Sequence, residues 1–200
     1  MFKVIVAGRG WFAAECLRTL NCMPGVSVTG AFAPDAEDRL AIAALAAGLQ
    51  CAFGFRMSAD HVPPDTDLIV GAATHCFIDA QARNSARLGA IGYHPSLLPR
   101  HRGRDAIKWA LKMEEKITGG TVYWMDDGAD TGPIAAQDWC WIKPTDDAMT
   151  LWKRELSPMG LRLIQTVVND LLNGVITAVE QPAELASWEP SLDSNRLSQL

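Results

Sequence analysis

The segment AIGYHPSLLPRHRG, residues 90–103, joins a short apolar run to a polar loop that contains two prolines. The apolar run predicts a buried strand over residues 90–94, and His94 stands at its carboxyl end, directly before Pro95. In an open α/β sheet, ligands bind at the carboxyl ends of the parallel strands. His94 is therefore a candidate site residue, although a lone histidine at such a position is more often a structural group.

Upstream of this segment, apolar strands alternate with helical patterns of 10–15 residues. This alternation is typical of a parallel sheet covered by helices, so the sequence predicts an α/β domain with a Rossmann-like first half. The predicted strands are residues 4–7, 26–33 and 68–72. The predicted helices are residues 12–20, 36–49 and 78–88.

Downstream of residue 104 the pattern changes. We expect a helix from Asp105, as its cap, through Lys112. Two β-rich segments then flank the turn-forming loop 126–132, and they predict an antiparallel strand pair in the C-terminal half of a mostly parallel sheet. These segments are residues 121–125 and 134–142.

A long helical pattern follows over residues 148–173. Asp146 or Asp147 is expected to cap it, Pro158 to bend it and Gly174 to end it. The predicted domain covers residues 1–180, and the polar segment 181–200 is predicted to be a loosely packed tail.

The charge balance limits the possible partners. Eighteen basic and 23 acidic side chains give a formal net charge of −5, so a general nucleic-acid surface is not expected. The arginine cluster at residues 100, 102 and 104 suits a small anionic ligand better. No apolar stretch reaches the roughly 20 residues that cross a bilayer, so no membrane association is expected.

The cysteine pattern indicates the compartment. The chain has five widely spaced cysteines and no Cys-x-x-Cys motif, which is typical of buried free thiols in a reducing environment. No pair has the spacing of zinc ligands, so no metal is predicted. The N-terminal apolar run is too short for a signal peptide, and we expect a cytoplasmic protein.

The turn after the first predicted strand has two interpretations. Gly8, Gly10 and Ala13 fit the G-x-G-x-x-A pattern of dinucleotide-binding proteins, and Asp35 stands where a ribose-binding acid is expected. Short glycine turns also occur in many doubly wound sheets that bind no dinucleotide. The bulky Trp11 and Phe12 fit poorly over a pyrophosphate.

Asp130 lies in the run DDGADTG, residues 126–132. The run is typical of a solvated hairpin loop, and it lacks the acid spacing and the distant glutamate of a calcium-binding loop. The histidine motif and the aspartate motif, taken together, indicate a function far more specifically than either residue alone.

The run HPSLLPRHRG, residues 94–103, followed by GADTGP, residues 128–133, resembles the formyltransferase and hydrolase superfamily that uses 10-formyltetrahydrofolate. The resemblance implies a formyltransferase fold in which His94 and Asp130 form the reacting pair. The histidine would stabilise charge in a tetrahedral intermediate, while the aspartate would orient it and relay a proton.

The resemblance also implies two sets of binding residues. The folate set lies in two loops and comprises His75, Cys76, Phe77, Ile78, Asp126, Asp127 and Gly128. The set facing the formyl acceptor comprises Gly8, Gly10, Ser96, Arg100 and Arg102. The expected co-substrate is 10-formyltetrahydrofolate, which leaves as tetrahydrofolate, and no metal is implied.

Gly92 departs from the family pattern, which has asparagine two residues before the histidine. That amide donates a hydrogen bond to the developing oxyanion, a type of contact worth on the order of 10²–10³ in rate. Three explanations stay open: a degenerate enzyme, a replacement donor, or a branch that never uses the asparagine. The hydrolase domain of 10-formyltetrahydrofolate dehydrogenase is most similar in motif and also lacks it, whereas sugar-amine N-formyltransferases keep it.

The implied function is formyl transfer from 10-formyltetrahydrofolate to a small-molecule amine or to water. Glycinamide ribonucleotide formyltransferase belongs to the same superfamily, and the acceptor here is expected to be an amino sugar, an amino acid or a carrier-bound group. The alternatives are a strict 10-formyltetrahydrofolate hydrolase and a non-catalytic folate-binding homologue. A dinucleotide-dependent oxidoreductase is the weakest alternative.

Overall fold

The computed structural model describes residues 1–74 and 76–192, whose strands form one large and one small sheet. The strands are β1 (Phe2–Gly8), β2 (Val26–Ala33), β3 (Cys51–Phe53), β4 (Arg56–Met57), β5 (Leu68–Ala72), β6 (Phe77–Ile78), β7 (Ala90–His94), β8 (Ile117–Trp124) and β9 (Ile134–Trp141). The α-helices are α1 (Gly10–Asn21), α2 (Arg39–Ala46), α3 (Ala80–Ser85), α4 (Ala106–Lys112), α5 (Ala148–Leu151) and α6 (Ser157–Leu172).

The large sheet has the strand order β3-β2-β1-β5-β7-β8-β9. Neighbouring strands from β3 through β7 are parallel, and the β7–β8 and β8–β9 pairs are antiparallel. The α/β class, the mostly parallel sheet and the antiparallel strand pair are thereby confirmed. β4 and β6 form a separate small parallel sheet.

Helices cover both faces of the large sheet. Apolar side chains of α1, α2 and α6 form one core with β1, β5 and β7, while α3 packs in a smaller core on the opposite face. Strand β1 lies between β2 and β5, and its residues from Val4 to Gly8 are all buried. Near-continuous apolar runs of this kind are expected where a parallel strand is covered on both sides.

The glycine at the end of β1 is required by close packing. A side-chain carbon at Gly8 would lie 1.9 Å from the carbonyl oxygen of Ala72 in β5. Only glycine permits two neighbouring strand ends to approach so closely. Gly10 starts α1 with a positive φ of 69°, a conformation that glycine adopts at little cost.

The predicted helix over residues 78–88 is wrong at both ends. The Asp79 carboxylate accepts a hydrogen bond from the Ala82 amide at 2.8 Å, so α3 starts only after this cap. At the other end, the backbone amides of Arg87 and Leu88 donate to Thr66 and Asp67 instead of continuing the helix. Ile78, the expected helix start, belongs to strand β6.

Asp105 precedes α4 as expected, but its side chain does not cap the helix. Its φ is +61°, and its carboxylate accepts hydrogen bonds from Ser191 and from the Leu192 amide.

Farther along, Asp147 caps α5 through the Thr150 amide, and one π-helical turn, residues 152–156, connects α5 to α6. Pro158 lies in the first turn of α6, directly after this π-helical turn.

The segment 181–189 contacts the domain at both of its ends, while residues 182–186 between them are exposed. Gln181 and Glu189 are buried. The Arg102 amide donates to the Ser187 carbonyl at 3.0 Å, and the Ser187 amide donates to the Pro99 carbonyl at 3.1 Å. The loop before α4 supplies hydrogen-bond partners for the polar groups of this segment, and these contacts hold the segment against the domain. Residues 193–200 of the expected tail lie outside the described residues.

Candidate active site

His94 ends β7 with its side chain almost fully buried, and both ring nitrogens have defined neighbours. Nε2 lies 2.7 Å from the carbonyl oxygen of His101. A carbonyl oxygen only accepts hydrogen bonds, so Nε2 must carry the proton of this contact. Nδ1 faces Asp130 Oδ2 at 3.4 Å, which makes Nδ1 the nitrogen that is available for proton exchange.

The Asp130 carboxylate is held by two further donors. The Tyr123 hydroxyl donates to Oδ1 at 2.6 Å, and the Gly103 amide donates to Oδ2 at 2.7 Å. Asp130 adopts a left-handed φ of 57°, which aspartate tolerates better than most residues, and its loop position brings the carboxylate to the end of β7. The structure thus brings together the two residues that the sequence singled out as the reacting pair.

The sequence did not single out Tyr123. Burial, together with the charge of Asp130, raises the pKa of the Tyr123 phenol well above its ordinary value. The phenol therefore stays protonated and acts as a fixed donor. Tyr123 pairs with Gly92 across β7 and β8, a relationship between distant residues that no local sequence pattern reveals.

Gly92 leaves room for two side chains. A side-chain carbon at this position would lie 2.7 Å from Met125 Cε and 3.1 Å from Tyr123 Cε1. The space that an asparagine side chain would enter is therefore already filled by the tyrosine ring and the methionine methyl group. Neither group donates a hydrogen bond into that space, since the Tyr123 hydroxyl points to Asp130.

His94 and Asp130 both line a cavity of about 670 Å³. This volume falls within the range that is typical of small-molecule sites. Its wall mixes small and apolar residues with a few polar ones. The apolar part includes Gly71, Ala73, Ile107, Met125, Trp152 and Trp188, and the polar part includes Thr74, Arg104, Lys108 and Tyr123.

The predicted folate segments lie beside the wall of this cavity. Thr74, Met125 and Ala129 line it, while Cys76, Phe77, Ile78 and residues 126–128 do not. His75 lies outside the described residues. The Cys76 thiol contacts Thr74 Oγ1 at 2.9 Å, and burial raises its pKa, so the thiol is not an activated nucleophile.

The aspartates of the second folate segment hold their own loop. The Asp126 carboxylate accepts hydrogen bonds from the Gly128 amide and the Thr131 hydroxyl. Asp127 pairs with Arg83, whose buried guanidinium also donates to the Ile78 carbonyl. Arg83 therefore ties this loop to the first folate segment, and any contact of these residues with folate stays a prediction.

The structure does not bring the predicted acceptor residues to the cavity wall. Ser96 Oγ donates to the Arg100 carbonyl at 2.6 Å, and Arg100 itself pairs with Glu115. The Arg102 guanidinium donates to the side-chain oxygen of Gln181. Among the three clustered arginines, Arg104 is the one that lines the cavity.

The glycine turn does not line the cavity either. Gly8 packs against β5, and the Gly10 amide donates to both carboxylate oxygens of Asp38, at 2.9 and 3.0 Å. Asp38 also caps α2 through the Leu40 amide. A carboxylate thus already occupies the start of α1, where a phosphate would otherwise bind.

The described residues contain no group of three His, Cys, Asp or Glu side chains that is arranged to hold a metal ion. In the same part of the chain, no helix combines the length and the apolar character that crossing a bilayer requires.

The fold and the paired side chains at the carboxyl end of β7 define an α/β enzyme with its site at the strand ends. Residues 57–167 match the formyl transferase family, and the chain belongs to that family of enzymes. The mitochondrial 10-formyltetrahydrofolate dehydrogenase of Mus musculus is 44% identical over 113 residues, 56% of this chain and 12% of the mouse protein. The chain thus spans about an eighth of that relative's length.

Two solved structures share the fold over most of the chain. Glycinamide ribonucleotide transformylase 1 from Symbiobacterium toebii has a TM-score of 0.75 at 20% identity, covering 90% of this chain and 95% of the other. The N-formyltransferase from Helicobacter canadensis, solved with folinic acid and dTDP-3-aminofucose, has a TM-score of 0.79 at 18% identity, covering 98% and 73%. At these identities the comparisons establish the fold.

Proposed function

We propose that the protein takes the formyl group from 10-formyltetrahydrofolate and transfers it to a small-molecule amine or to water. The observation that carries this proposal is the contact between His94 and Asp130 in a cavity of suitable size, within a formyl transferase fold. The folate is a co-substrate that leaves as tetrahydrofolate. Because all five cysteines are free thiols, we also place the protein in a reducing compartment, the cytoplasm.

The reaction requires one bond to form and one to break. The acceptor nitrogen or oxygen attacks the formyl carbon, and the carbonyl oxygen becomes an oxyanion. Asp130 takes the proton of the attacking group, directly or through a water, and passes it to the unprotonated Nδ1 of His94, whose new N–H stabilises the oxyanion. The bond from the formyl carbon to N10 then breaks, and Nδ1 gives its proton to N10, which returns the site to its starting state. The products are tetrahydrofolate and either an N-formyl amine or formate.

The surrounding residues fix the positions of His94 and Asp130. Tyr123 and Gly103 fix the carboxylate by direct hydrogen bonds, and His101 fixes the far side of the imidazole. Rigid placement lowers the entropic cost of reaching the transition state. The apolar wall formed by Ile107, Met125 and Trp152 suits the flat pterin and benzoyl rings of a folate.

Water as the acceptor is favoured by one observation. Gly92 provides no amide donor, and its space is filled by Tyr123 and Met125, so the site is not a damaged version of the asparagine type. The mouse relative, whose name specifies 10-formyltetrahydrofolate, supports the same donor. An amine acceptor, such as an amino sugar, an amino acid or a carrier-bound group, stays the alternative, with Arg104 and Lys108 available on the wall.

Two other functions are less well supported. A dinucleotide-dependent oxidoreductase needs a pyrophosphate at the start of α1, where the Asp38 carboxylate already accepts the Gly10 amide and repels phosphate. A non-catalytic folate binder has no need of a histidine and an aspartate held within 3.4 Å of each other.

The test is the release of tetrahydrofolate from 10-formyltetrahydrofolate by the purified protein, with no acceptor added. We expect release that falls on the order of 10²-fold or more in His94→Ala and Asp130→Asn, with the fold intact by circular dichroism. Release at the wild-type rate in either variant would overturn the proposed roles. Folate binding without release directs the assay to a panel of amines, and the absence of both rejects the proposed donor.

A further inference from the structure

The loop of residues 101–103 contacts both members of the His94–Asp130 pair through its backbone. The His101 carbonyl accepts the hydrogen bond of His94 Nε2, and the Gly103 amide donates to Asp130 Oδ2. These two backbone groups are only two residues apart. The conformation of this loop therefore sets the position of the imidazole relative to the carboxylate.

The side chain of His101 is enclosed, with 2% of its surface exposed. Its Nε2 lies 3.0 Å from Glu115 Oε1, and its Nδ1 lies 3.0 Å from Glu189 Oε2. The Nδ1 contact lacks the alignment of a hydrogen bond, although both atoms are buried. A carboxylate can only accept, so both contacts are favourable when the ring is an imidazolium.

The two glutamates come from distant parts of the chain. Glu115 precedes β8 and also binds the Arg100 guanidinium. Glu189 belongs to the tail segment 187–189, which pairs in parallel with the loop at Arg102 and binds the His101 amide through Ser187 Oγ at 2.9 Å. His101 thus fastens the loop between the body of the domain and the tail.

The backbone of His101 is in a conformation that needs this support. Its φ is +56°, in the left-handed region, which is unfavourable for a residue with a side chain. Such a conformation persists only where surrounding contacts determine it. The same conformation turns the His101 carbonyl toward His94, so the contacts of the side chain and the orientation of the carbonyl depend on each other.

We propose that His101, fixed between Glu115 and Glu189, is a positioning residue for the reacting pair. Through its carbonyl it keeps the proton of His94 on Nε2 and directs Nδ1 toward Asp130 and the formyl group. This inference rests on the proposed function for its catalytic consequence, but the orientation of His94 is measurable without catalysis. Neither glutamate lines the cavity, so the effect on His94 is transmitted through the loop.

The test compares His101→Asn with a matched control, His61→Asn. Asparagine tolerates a positive φ but is too short to reach both glutamates. We expect kcat to fall about tenfold or more with KM and folate affinity changed less than about twofold, because misplacement weakens the transition state and not binding. His61 contacts Ser58 in a different segment, and its replacement should leave kcat unchanged.

A graded pair of variants at Glu189 separates positioning from a general loss of structure. Glu189→Gln keeps a polar oxygen within reach of His101 without the negative charge, whereas Glu189→Ala removes the polar group altogether. We expect Gln to retain more of kcat than Ala, with similar thermal midpoints for the two proteins. Equal losses in both variants, accompanied by equal losses of stability, would show a merely structural role and overturn the proposal.

Nitrogen NMR of the His94 ring measures its protonated nitrogen and its hydrogen bonding without requiring turnover. In the wild-type protein we expect the shifts of a protonated, hydrogen-bonded Nε2, and in His101→Asn we expect this signature to weaken. Unchanged His94 shifts together with unchanged kcat overturn the positioning proposal while the proposed function stands. If the wild-type protein neither binds the folate nor releases tetrahydrofolate, the proposed function fails, and the NMR comparison alone decides the role of His101.

Discussion

The Tyr123 hydroxyl donates a hydrogen bond to Asp130 Oδ1 at 2.6 Å, from the strand that pairs with the one carrying His94. Because β7 and β8 are antiparallel neighbours, the backbone of the sheet itself sets the distance between the tyrosine and the histidine. The tyrosine, which has no role in proton transfer, orients the carboxylate toward His94. The site is thus assembled from one sheet and two loops.

Removing this hydroxyl tests its orienting role. In Tyr123→Phe we expect kcat to fall about tenfold, which corresponds to about 1.4 kcal/mol in the barrier, since the carboxylate keeps only the Gly103 donor. Steady-state kinetics of tetrahydrofolate release measure the loss. Tyr93→Phe is the matched control, because the Tyr93 hydroxyl donates to the Leu156 carbonyl, away from the carboxylate. A Tyr123→Phe enzyme with wild-type kcat contradicts the orienting role.

Restoring the family asparagine should harm this protein. In Gly92→Asn the new side chain meets Met125 Cε and the Tyr123 ring, so we expect both activity and stability to fall, the latter by about 1–3 kcal/mol as in other overpacked cores. Gly92→Ala separates crowding from chemistry, because it adds the side-chain carbon without the amide. Enhanced formyl transfer in Gly92→Asn, with Gly92→Ala impaired, would show instead that an oxyanion donor is missing.

The parallel half of the fold could be predicted because its strands are continuous apolar runs bounded by turn residues. The expected strands at residues 26–33, 68–72 and 90–94 have the observed bounds. β3 and β4, with three and two residues, are too short to carry any periodicity, and they were missed. The helix start at residue 78 was wrong because the cap at Asp79 was not recognised.

The site was predictable only where a local motif marks it. His94 and Asp130 stand in long specific runs, so a resemblance located both. The residues that hold them are paired across the chain, such as His101 with Ser187, 86 positions away, and no local pattern reveals such a pair. The acceptor residues were assigned from the same resemblance, but Arg100 and Arg102 turned out to bind Glu115 and Gln181.

Asp38 should contribute more to stability than an ordinary helix cap. Its carboxylate accepts from the Leu40 amide in α2 and from the Gly10 amide in α1, whereas Asp147 caps α5 alone. We expect Asp38→Ala to lower the free energy of unfolding by about 1–2 kcal/mol, and Asp147→Ala by about 1 kcal/mol or less. Urea unfolding measures both.

NAD(P)H fluorescence titration of the wild-type protein should show no binding, and saturable binding would reopen the dinucleotide interpretation.

The two tyrosines of the chain should make the folded protein sensitive to alkali. Burial raises the pKa of both phenols above the ordinary value, and the charge of Asp130 adds to the effect at Tyr123. A folded-state pKa above the unfolded one means that the unfolded chain loses its protons first. Stability from these groups is therefore complete below a pH of about 10 and declines as the pH rises above it toward the folded-state values.

The measurement is tyrosinate absorbance followed together with circular dichroism as the pH is raised. We expect no ionisation of either phenol while the protein stays folded, and then a single transition in which absorbance and ellipticity change together. In Tyr123→Phe the remaining phenol should still ionise only on unfolding. A phenol that titrates near pH 10 in the folded wild-type protein but not in Tyr123→Phe would mean that Tyr123 is exposed to solvent, and it would remove the basis for its role as a fixed donor to Asp130.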